Sequence, residues 1–339
     1  MRKRSASLFG KEESTVAVFI FRRLLQSVCL VLVMSLLVFL GVYAIGNPAD
    51  IMIAPDASEA ERAALISHFG LDKPLYVQYG RFLSNAVKGD LGRSFKFNEP
   101  ALKLIAERVP ATLELAFASL FLTILLGIPL GLYAGFKPDS LSSKLIMGFS
   151  AFGFSVPVFW LGLMMVMVFA VFLGWLPASG RGQTVNLLGI PMSFLTWDGI
   201  RHMILPAINL AAFKLSLIIR LTRAGTQEVI RSDYVKYAKA KGLRPARIVL
   251  VHVLKNTLIP ITTVLGLEFG RTIAFATVTE TIFAWPGMGK LIIDSISVLD
   301  RPVIVAYLMM IVVMFIFINL VVDVLYSALD PRVRLEERR

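Results

Sequence analysis

Six long apolar runs constrain the fold of this chain more than any other feature. They are residues 24–45, 109–136, 143–175, 202–222, 257–283 and 303–329. Each meets the length of about 20 residues that a helix needs to cross the hydrocarbon core of a bilayer. Hydrocarbon offers the backbone no hydrogen-bond partners, so such a segment crosses it as a helix. The sequence therefore predicts an all-α integral membrane protein with six transmembrane helices.

The composition fits a membrane location better than a soluble one. Hydrophobic residues make up 56% of the chain, whereas soluble domains contain about 45–50%. The net charge of +12 would suggest nucleic acid as the partner of a soluble protein. Here the basic residues lie beside the apolar runs, and this position favours contact with anionic lipid instead. We therefore expect membrane lipid, and no nucleic acid, among the partners.

Two of the runs have features of their own. The first run, 24–45, is too long for a signal-peptide core of about 7–15 residues, and no small-residue cleavage site follows it. We predict an uncleaved transmembrane helix, with Cys29 as a buried structural thiol. The third run, 143–175, is longer than one crossing needs and contains Gly153, Pro157 and Gly162. We expect this helix to tilt or kink.

The distribution of basic residues predicts which helix ends face the cytoplasm. The more basic set of segments comprises residues 1–23, 137–144, 220–256 and 330–339. It contains 21 Lys and Arg against 8 Asp and Glu. The opposite set comprises residues 46–108, 176–201 and 284–301. It contains 12 Lys and Arg against 11 Asp and Glu. Because Lys and Arg are enriched in cytoplasmic loops, both termini and the loop before the fifth run are predicted to be cytoplasmic.

That loop has an unusual sequence. The stretch Asp233–Pro260, DYVKYAKAKGLRPARIVLVHVLKNTLIP, contains six Lys and Arg although it lies between two apolar runs. A bilayer could not accommodate so many charges, so the stretch lies outside the membrane. Ala and Lys around Tyr234 favour a helix, Gly242 interrupts it, and Pro245 suits the first turn of another. The pattern predicts a short helix, a glycine turn and a second short helix.

At these residues the chain resembles a known family. Ala238, Ala240 and Gly242, with the run on to Pro260, are similar to the EAA-type signature of ABC importer permeases. Further segments resemble the peptide/nickel-type permeases in the family's order: HFGLDKPLYVQYGRF at 68–82, KGDLGRSF at 88–95, ETIFAWPGMGKL at 280–291 and DPRVR at 330–334. The resemblance covers roughly residues 18–334.

The resemblance implies a type I importer fold, the MetI-like arrangement, in the inner membrane of a bacterium. It also implies that the chain pairs with a second homologous permease subunit, that two ATP-binding subunits dock on its cytoplasmic side, and that a periplasmic substrate-binding protein delivers the substrate. ATP and Mg would be bound by the ATPase subunits, and this chain would hold no cofactor or metal.

The expected domain organisation follows from the apolar runs and the resemblance together. A cytoplasmic segment, 1–23, precedes the first transmembrane helix, 24–45, and an external periplasmic segment, 46–108. The transmembrane permease core covers 109–329, with a cytoplasmic coupling loop at about 227–256, and a cytoplasmic tail covers 330–339.

The resemblance assigns the coupling of transport to ATP hydrolysis to this loop, where a coupling helix docks on the ATPase subunit. The residues assigned to this role are Asp233, Tyr234, Ala238, Ala240, Gly242 and Leu243. Gly242 is expected to supply a turn that a Cβ atom would hinder.

Charged residues inside apolar runs are costly and usually face protein or water. Glu280 and Asp323 fit the family pattern near helix ends, which favours structural roles, whereas Lys214, Glu268 and Arg271 depart from it. Glu268 and Arg271 share one face of the fifth helix. One hypothesis is that these three residues pair with one another and hold helices together. The other is that they line the translocation pathway and meet the ammonium and carboxylate of small peptides.

Small and aromatic residues predict packing and anchoring. Glycines at four-residue spacing in the second run let helices approach closely, within the chain rather than at a dimer seam; they are Gly127, Gly131 and Gly135. Three tryptophans fall at predicted external boundaries, where indole rings anchor helices; they are Trp175, Trp197 and Trp285.

The external segment 46–108 contains a second helix signal. Pro74 is expected to open a short amphipathic helix with Tyr76, Tyr79 and Phe82 on one side, followed by a turn in which Gly89 and Gly92 flank Asp90. This segment either caps the external rim or forms part of a platform for the binding protein.

Catalytic chemistry finds no support in the sequence. Gly289–Lys290 is not a phosphate-binding loop, because Ala284 stands where its first Gly is needed and Leu291 where Ser or Thr is needed. The three histidines are predicted at different depths and sides of the membrane and cannot share a metal; they are His68, His202 and His252. We expect a permease subunit without catalytic, cofactor-binding or metal-ligating residues.

The predicted function is ATP-driven import of di- or oligopeptides by alternating access. Nickel or other metal chelates and oligosaccharides are alternative cargoes, because the binding protein largely selects the substrate. A stand-alone secondary transporter is a further alternative, although no internal repeat of the kind common in that class is visible. A non-transporting scaffold would leave the combination of external and cytoplasmic motifs unexplained.

Overall fold

The computed structural model defines residues 25–41, 60, 67 and 72–329, and for Ile259 and residues 323–329 it defines the backbone alone. The predicted segments 1–23 and 330–339, most of the connection from 46 to 71 with His68, and the side chain of Asp323 lie outside this description.

The defined part of the chain is almost entirely helical. In chain order the helices are α1 (Leu25–Gly41), α2 (Leu75–Val87), α3 (Ala101–Phe136), α4 (Leu141–Ser155), α5 (Val158–Met165), α6 (Trp197–Ile230), α7 (Asp233–Ala240), α8 (Pro245–Arg247), α9 (Lys255–Phe275), α10 (Thr277–Ile282), α11 (Met288–Ser297) and α12 (Arg301–Leu329). Wider π-helical turns extend α5 through Val166–Phe172 and join α8 to α9 through Ile248–Leu254.

A short β-hairpin interrupts the helices in the segment predicted to be external. Its strands, β1 (Val185–Leu187) and β2 (Ile190–Met192), pair antiparallel with Leu187 opposite Ile190. Leu188 and Gly189 form the two-residue turn, and both have positive φ angles, of 52° and 83°. This is the backbone twist that a tight hairpin requires.

Three of the defined helices are long and apolar enough to cross a membrane: α3, α6 and the Arg301–Val322 part of α12. The number rises to five if each of two bent helix pairs counts as one span, and the apolar helix α1 is shorter. The predicted count of six spans stays a prediction.

The expected kink in the third run is a bend of 109° between α4 and the extended α5. At the bend, Val156 has an extended backbone, with φ −82° and ψ 130°, and Pro157 precedes α5. Proline donates no backbone hydrogen bond and disfavours helical geometry in the residue before it. The predicted kink in this run is therefore confirmed, and it divides the run into two helices.

Helices α3 and α6 extend beyond the apolar runs that predicted them. α3 begins at Ala101 rather than at residue 109, and α6 covers Trp197–Ile230 rather than 202–222. The Thr196 hydroxyl accepts a hydrogen bond of 2.9 Å from the Gly199 backbone N–H and caps α6. Hydropathy marks the part of a helix suited to hydrocarbon and misses the polar turns at its ends.

The chain divides into two units: residues up to Leu104 with Ser295–Leu320, and Ile105–Asp294 with the residues from Val321 onward. In the first unit, the predicted helix after Pro74 is confirmed as α2. It packs on α1 through Tyr79 and Phe82, whose rings lie 5.4 and 5.9 Å from that of Phe39. Tyr76, predicted on the same side, is 77% exposed instead.

The predicted turn after α2 is also confirmed. Gly89 and Gly92 both have positive φ angles, and Asp90 accepts a hydrogen bond from the Gly92 N–H. Farther along the same unit, the buried Asp300 carboxylate accepts hydrogen bonds from the Ser94 hydroxyl and the Phe95 N–H. This ties the 94–96 segment to the start of α12.

In the second unit, α3 and α6 pack closely through the predicted glycines. A Cβ atom added at Gly127 would lie 2.9 Å from Ile218, and one at Gly131 would lie 2.7 Å from the Ile219 carbonyl oxygen. A Cβ atom at Gly135 would meet Thr226 in the same way. The prediction that these glycines pack within the chain is confirmed.

Two burial predictions are wrong. Trp285 is fully buried, where it packs against Ala111 and Leu115 and donates a hydrogen bond of 2.8 Å to the Ala111 carbonyl oxygen. It is a core residue and not an interfacial anchor, whereas Trp175 and Trp197 are exposed. Cys29 is exposed on α1 instead of buried. A membrane helix can turn apolar residues toward lipid, so an apolar run does not imply burial in protein.

Candidate functional site

The predicted coupling segment forms a helix, a glycine turn and a second helix, as expected. α7 ends at Ala240, and Gly242 has a φ of +72°, where its N–H reaches back to the Lys239 carbonyl oxygen at 2.9 Å. A glycine in the left-handed conformation is a common helix terminator because a Cβ atom is strained there. Pro245 then takes the first position of α8.

The second helix is not short, contrary to the prediction. From Pro245 the backbone stays helical through the π-helical turn Ile248–Leu254 and into α9. A bend of 49° separates Pro245–Leu258 from Pro260–Phe275. Pro260 has no N–H to continue the helical hydrogen bonds, which accounts for the bend. The coupling segment is therefore continuous with the fifth apolar run.

The residues assigned to coupling fall into two groups. Asp233, Tyr234, Ala240 and Gly242 are exposed. Ala238 is only 3% exposed and belongs to a small hydrophobic cluster with Val235, Ile248 and Val253. Leu243 packs against that cluster, as do Leu132 of α3 and Val229 of α6. The exposed group can meet a partner, and the buried group fixes α7 to the membrane helices.

The charges on α7 suit its N-terminus. Asp233 lies in its first turn, where a carboxylate interacts favourably with the helix dipole. Its side chain accepts a hydrogen bond of 2.8 Å from the Lys236 ammonium. This hydrogen bond, reinforced by the positive charge, lowers the pKa of Asp233 below its ordinary value. Asp233 is therefore an exposed carboxylate at neutral pH.

The predicted pathway residues lie on two helices, α6 and α9, and Lys214 connects both with α3. The Lys214 ammonium of α6 donates hydrogen bonds of 2.8 Å to the hydroxyls of Ser119 on α3 and Thr272 on α9. The Ser119 hydroxyl donates its proton to the Ala116 carbonyl oxygen, and the Thr272 hydroxyl donates its proton to the Glu268 carbonyl oxygen. Both hydroxyl oxygens therefore act as acceptors for the Lys214 ammonium. Lys214 is 4% exposed, so it holds helices together inside the chain.

Glu268 and Arg271 form an ion pair on α9, with Glu268 Oε1 and Arg271 Nη1 3.0 Å apart. Their exposure differs greatly. The Arg271 side chain is 65% exposed, whereas that of Glu268 is 10% exposed. The sequence hypothesis of mutual pairing is correct for these two, and contact with substrate stays a prediction. Sequence alone did not identify Ser119 and Thr272, because only the folded chain brings these hydroxyls to Lys214.

Two further intramembrane carboxylates have structural positions. Glu114 pairs with Arg181 at 2.8 Å and accepts hydrogen bonds from the Ser193 and Phe194 N–H groups, which fixes the chain just after β2. Glu280, fully buried, accepts hydrogen bonds from the Thr112 hydroxyl at 2.6 Å and from the Gly289 N–H at 2.7 Å. It thereby caps the N-terminus of α11.

A cavity of about 840 Å³ lies between α3, α6 and the β-hairpin. Its lining is apolar and includes Phe117, Phe121, Phe194 and Met203. The carboxylate of Glu114 also borders it but is engaged with Arg181. Such a lining offers no partners to the charged ends of a peptide. Among the residues that the model defines, no cluster of three His, Cys, Asp or Glu side chains suits a metal ion.

Comparison with known proteins identifies the family. Residues 127–335 match the model of the binding-protein-dependent transport system inner membrane component, and residues 16–116 match that of its N-terminal region. The chain belongs to this family. The permease is therefore an inner-membrane component of a binding-protein-dependent transport system.

Curated relatives match nearly the whole permease. It is 41% identical over 302 residues to the di/tripeptide transport system permease protein of Pseudomonas aeruginosa, covering 85% of this chain and 90% of that protein. It is 37% identical over 333 residues to the dipeptide transport system permease protein of Escherichia coli K12, covering 93% and 98%. The glutathione transport system permease protein of Escherichia coli is 37% identical over 317 residues, covering 93% and 98%.

The fold also matches a solved transporter. The permease superposes on a chain of the inward-facing MetNI methionine ABC transporter with a TM-score of 0.51 at 16% identity, covering 67% of this chain and 96% of that one. At this identity the likeness shows the fold alone. It confirms the predicted type I, MetI-like importer arrangement.

Proposed function

We propose that this permease imports di- and oligopeptides as a membrane subunit of an ATP-driven ABC importer. The observation that carries the proposal is the match, at 37–41% identity over 85–94% of the chain, to permeases named for di/tripeptides, dipeptides, oligopeptides and glutathione. These cargoes share a peptide backbone with charged termini. No relative among them is named for nickel or an oligosaccharide, so these cargoes have no comparable support.

The proposed complex contains a second homologous permease, two ATP-binding subunits that hold ATP and Mg, and a periplasmic substrate-binding protein. Both termini of this chain and α7 would face the cytoplasm. The excess of basic residues in those segments supports this orientation. The present chain supplies no catalytic residue, and hydrolysis takes place on the ATP-binding subunits.

The coupling mechanism follows from the two groups of residues in the α7 segment. The exposed side chains of Asp233 and Tyr234 would dock on an ATP-binding subunit. When ATP closes the two ATP-binding subunits, α7 would move with them. Val235 and Ala238 are buried against the π-helical turn Ile248–Leu254 that leads into α9, and next to α3 and α6, so displacement of α7 would shift those helices. A packed cluster transmits such a shift because it resists compression.

The first test is a mild-detergent pull-down of the tagged permease from its native membranes, followed by mass spectrometry. We expect a second permease, ATP-binding subunits and a binding protein. In parallel, a strain lacking the permease is tested for uptake of radiolabelled Ala-Ala-Ala, of nickel and of maltotriose. Loss of tripeptide uptake that the wild-type gene restores supports the proposal. Unchanged tripeptide uptake with loss of nickel or maltotriose uptake would refute peptide as the cargo.

A further inference from the structure

Arg271 presents a positive charge on a helix face that is mostly apolar. The exposed residues of this face on α9 and α10 include Leu267, Phe275 and Val278 and end at the polar Thr281. Together with Arg271, the three apolar residues are spaced four, four and three positions apart in the order Leu267, Arg271, Phe275 and Val278. This spacing places them on one side of a helix. The residues on the opposite side, such as Ile273 and Ala276, are buried in the chain.

This face does not suit contact with lipid tails. Arg271 lies near the middle of the predicted span 257–283, so a phosphate at headgroup level is out of its reach. A charged side chain at this depth faces either protein or a water-filled cavity. Among the residues that the structure describes, its 65% exposed side chain forms an ion pair with Glu268, and a guanidinium has five N–H donors. The face therefore borders either another subunit or the aqueous pathway.

The other two predicted pathway residues, Lys214 and Glu268, are buried. Lys214 is 4% exposed and is held by two hydroxyl groups. The Glu268 side chain is 10% exposed and accepts a hydrogen bond from Arg271 Nη1. Neither offers its charge to the pathway. The sequence suggested that both signs of charge could meet a peptide, but of Lys214, Glu268 and Arg271, Arg271 alone has an exposed charge.

We infer that Arg271 binds the C-terminal carboxylate of the peptide during translocation, and that Glu268 positions its guanidinium. The inference rests on the proposed function and specifies which end of the cargo this chain recognises. A guanidinium binds a carboxylate through two parallel hydrogen bonds, a geometry that a lysine ammonium does not reproduce. Among the exposed residues of this face that the structure describes, none is acidic, so the N-terminal ammonium of the peptide has no partner there.

The test compares two cargoes in proteoliposomes that contain the complete transporter: Ala-Ala-Ala with a free carboxylate and the same tripeptide with a C-terminal amide. The binding protein is loaded with each cargo above its separately measured Kd, so that transport through the membrane subunits limits the rate. We expect the free acid to be transported about tenfold faster by the wild type, the effect of one charge-assisted hydrogen bond. Arg271→Gln should bring the acid-to-amide ratio close to one.

Three further variants separate recognition from structure. Arg271→Lys should give an acid-to-amide ratio between those of the wild type and Arg271→Gln. The positive charge remains, but a lysine ammonium cannot donate two parallel hydrogen bonds to a carboxylate. Glu268→Gln should lower the ratio less than Arg271→Gln does, because Glu268 acts through Arg271. Leu267→Ala, on the same face but without a charge, should keep the ratio of the wild type. The binding protein is the same throughout, so a change in ratio arises in the permease.

Three results would overturn the inference. The first is an Arg271→Gln transporter with the acid-to-amide ratio of the wild type. The second is loss of the second permease from the Arg271→Gln complex on co-purification, which would make Arg271 an assembly contact. The third result concerns the case in which no variant transports the amide, so that no ratio can be measured. In that case, equal uptake of the free acid by Arg271→Gln and Arg271→Lys would contradict carboxylate binding. Failure of the wild type to transport any peptide refutes the proposed function itself and is recognised separately.

Discussion

Gly287 faces the carboxylate of Glu280, and a Cβ atom at residue 287 would occupy the space that this carboxylate fills. The carboxylate is buried and receives the Gly289 and Lys290 N–H groups at the start of α11. The absence of a side chain at residue 287 thus lets the Glu280 side chain cap a helix inside the protein. The first glycine in the turn WPGMG is therefore required by the packing of the Glu280 carboxylate against it.

Gly287→Ala should destabilise the permease. Because the added methyl group would displace a buried carboxylate from its donors, we expect a loss of about 1–3 kcal/mol. Thermal unfolding of the detergent-solubilised complex, followed by size-exclusion chromatography, measures this loss. Gly148→Ala is the matched control, since a Cβ atom there meets nothing within 4 Å. Equal unfolding temperatures for the two variants would contradict the assigned contact.

Gly131→Ala should separate α3 from α6. The added Cβ atom would lie 2.7 Å from the Ile219 carbonyl oxygen and would also press on Thr222. Since a backbone atom is involved, Thr222→Ala should rescue the variant only in part. We expect reduced stability of about 1–3 kcal/mol, measured as above. Full rescue by Thr222→Ala would show that the side chain alone limits the approach of the helices.

Gly242→Val should uncouple transport from ATP hydrolysis. The φ of +72° disfavours a β-branched residue by about 1–2 kcal/mol, whereas a Cβ atom has open space around it. The effect therefore comes from the backbone, and Gly242→Asn should be mild because Asn tolerates this conformation. Peptide uptake and ATPase activity are measured together in proteoliposomes. Normal uptake by Gly242→Val would refute the role of this turn.

Trp285→Phe tests whether this indole is a core residue. The substitution removes the donor to the Ala111 carbonyl oxygen and leaves a small space in the core. We expect a loss of about 1–2 kcal/mol. Trp197→Phe, at a side chain that is 75% exposed, should change stability little in the same unfolding assay. The opposite order of the two effects would favour an interfacial role for Trp285.

Much of the site could be predicted from residues close together in the sequence. Gly242 and Pro245 have strict backbone preferences, so the helix end and the helix start around them could be predicted without a fold. Glu268 and Arg271 are three residues apart on one helix, which is enough to predict that they can pair. The length of the apolar runs was enough to locate the helices. Their observed ends differ from the predicted ones, because α3 and α6 continue into polar turns and the third run bends at Pro157.

Other features depend on contacts between residues distant in the chain. Ser119, Lys214 and Thr272 meet because three helices pack together, and no spacing in the sequence relates them. The same packing buries Trp285 and leaves Cys29 exposed, since an apolar residue of a membrane protein can face either lipid or protein. The exposure of Arg271 beside the buried Glu268 also follows from this packing. Local chemistry thus determines helices, turns and charge distribution, whereas the tertiary structure decides which of these charges are buried and which are exposed, because burial depends on contacts between distant residues.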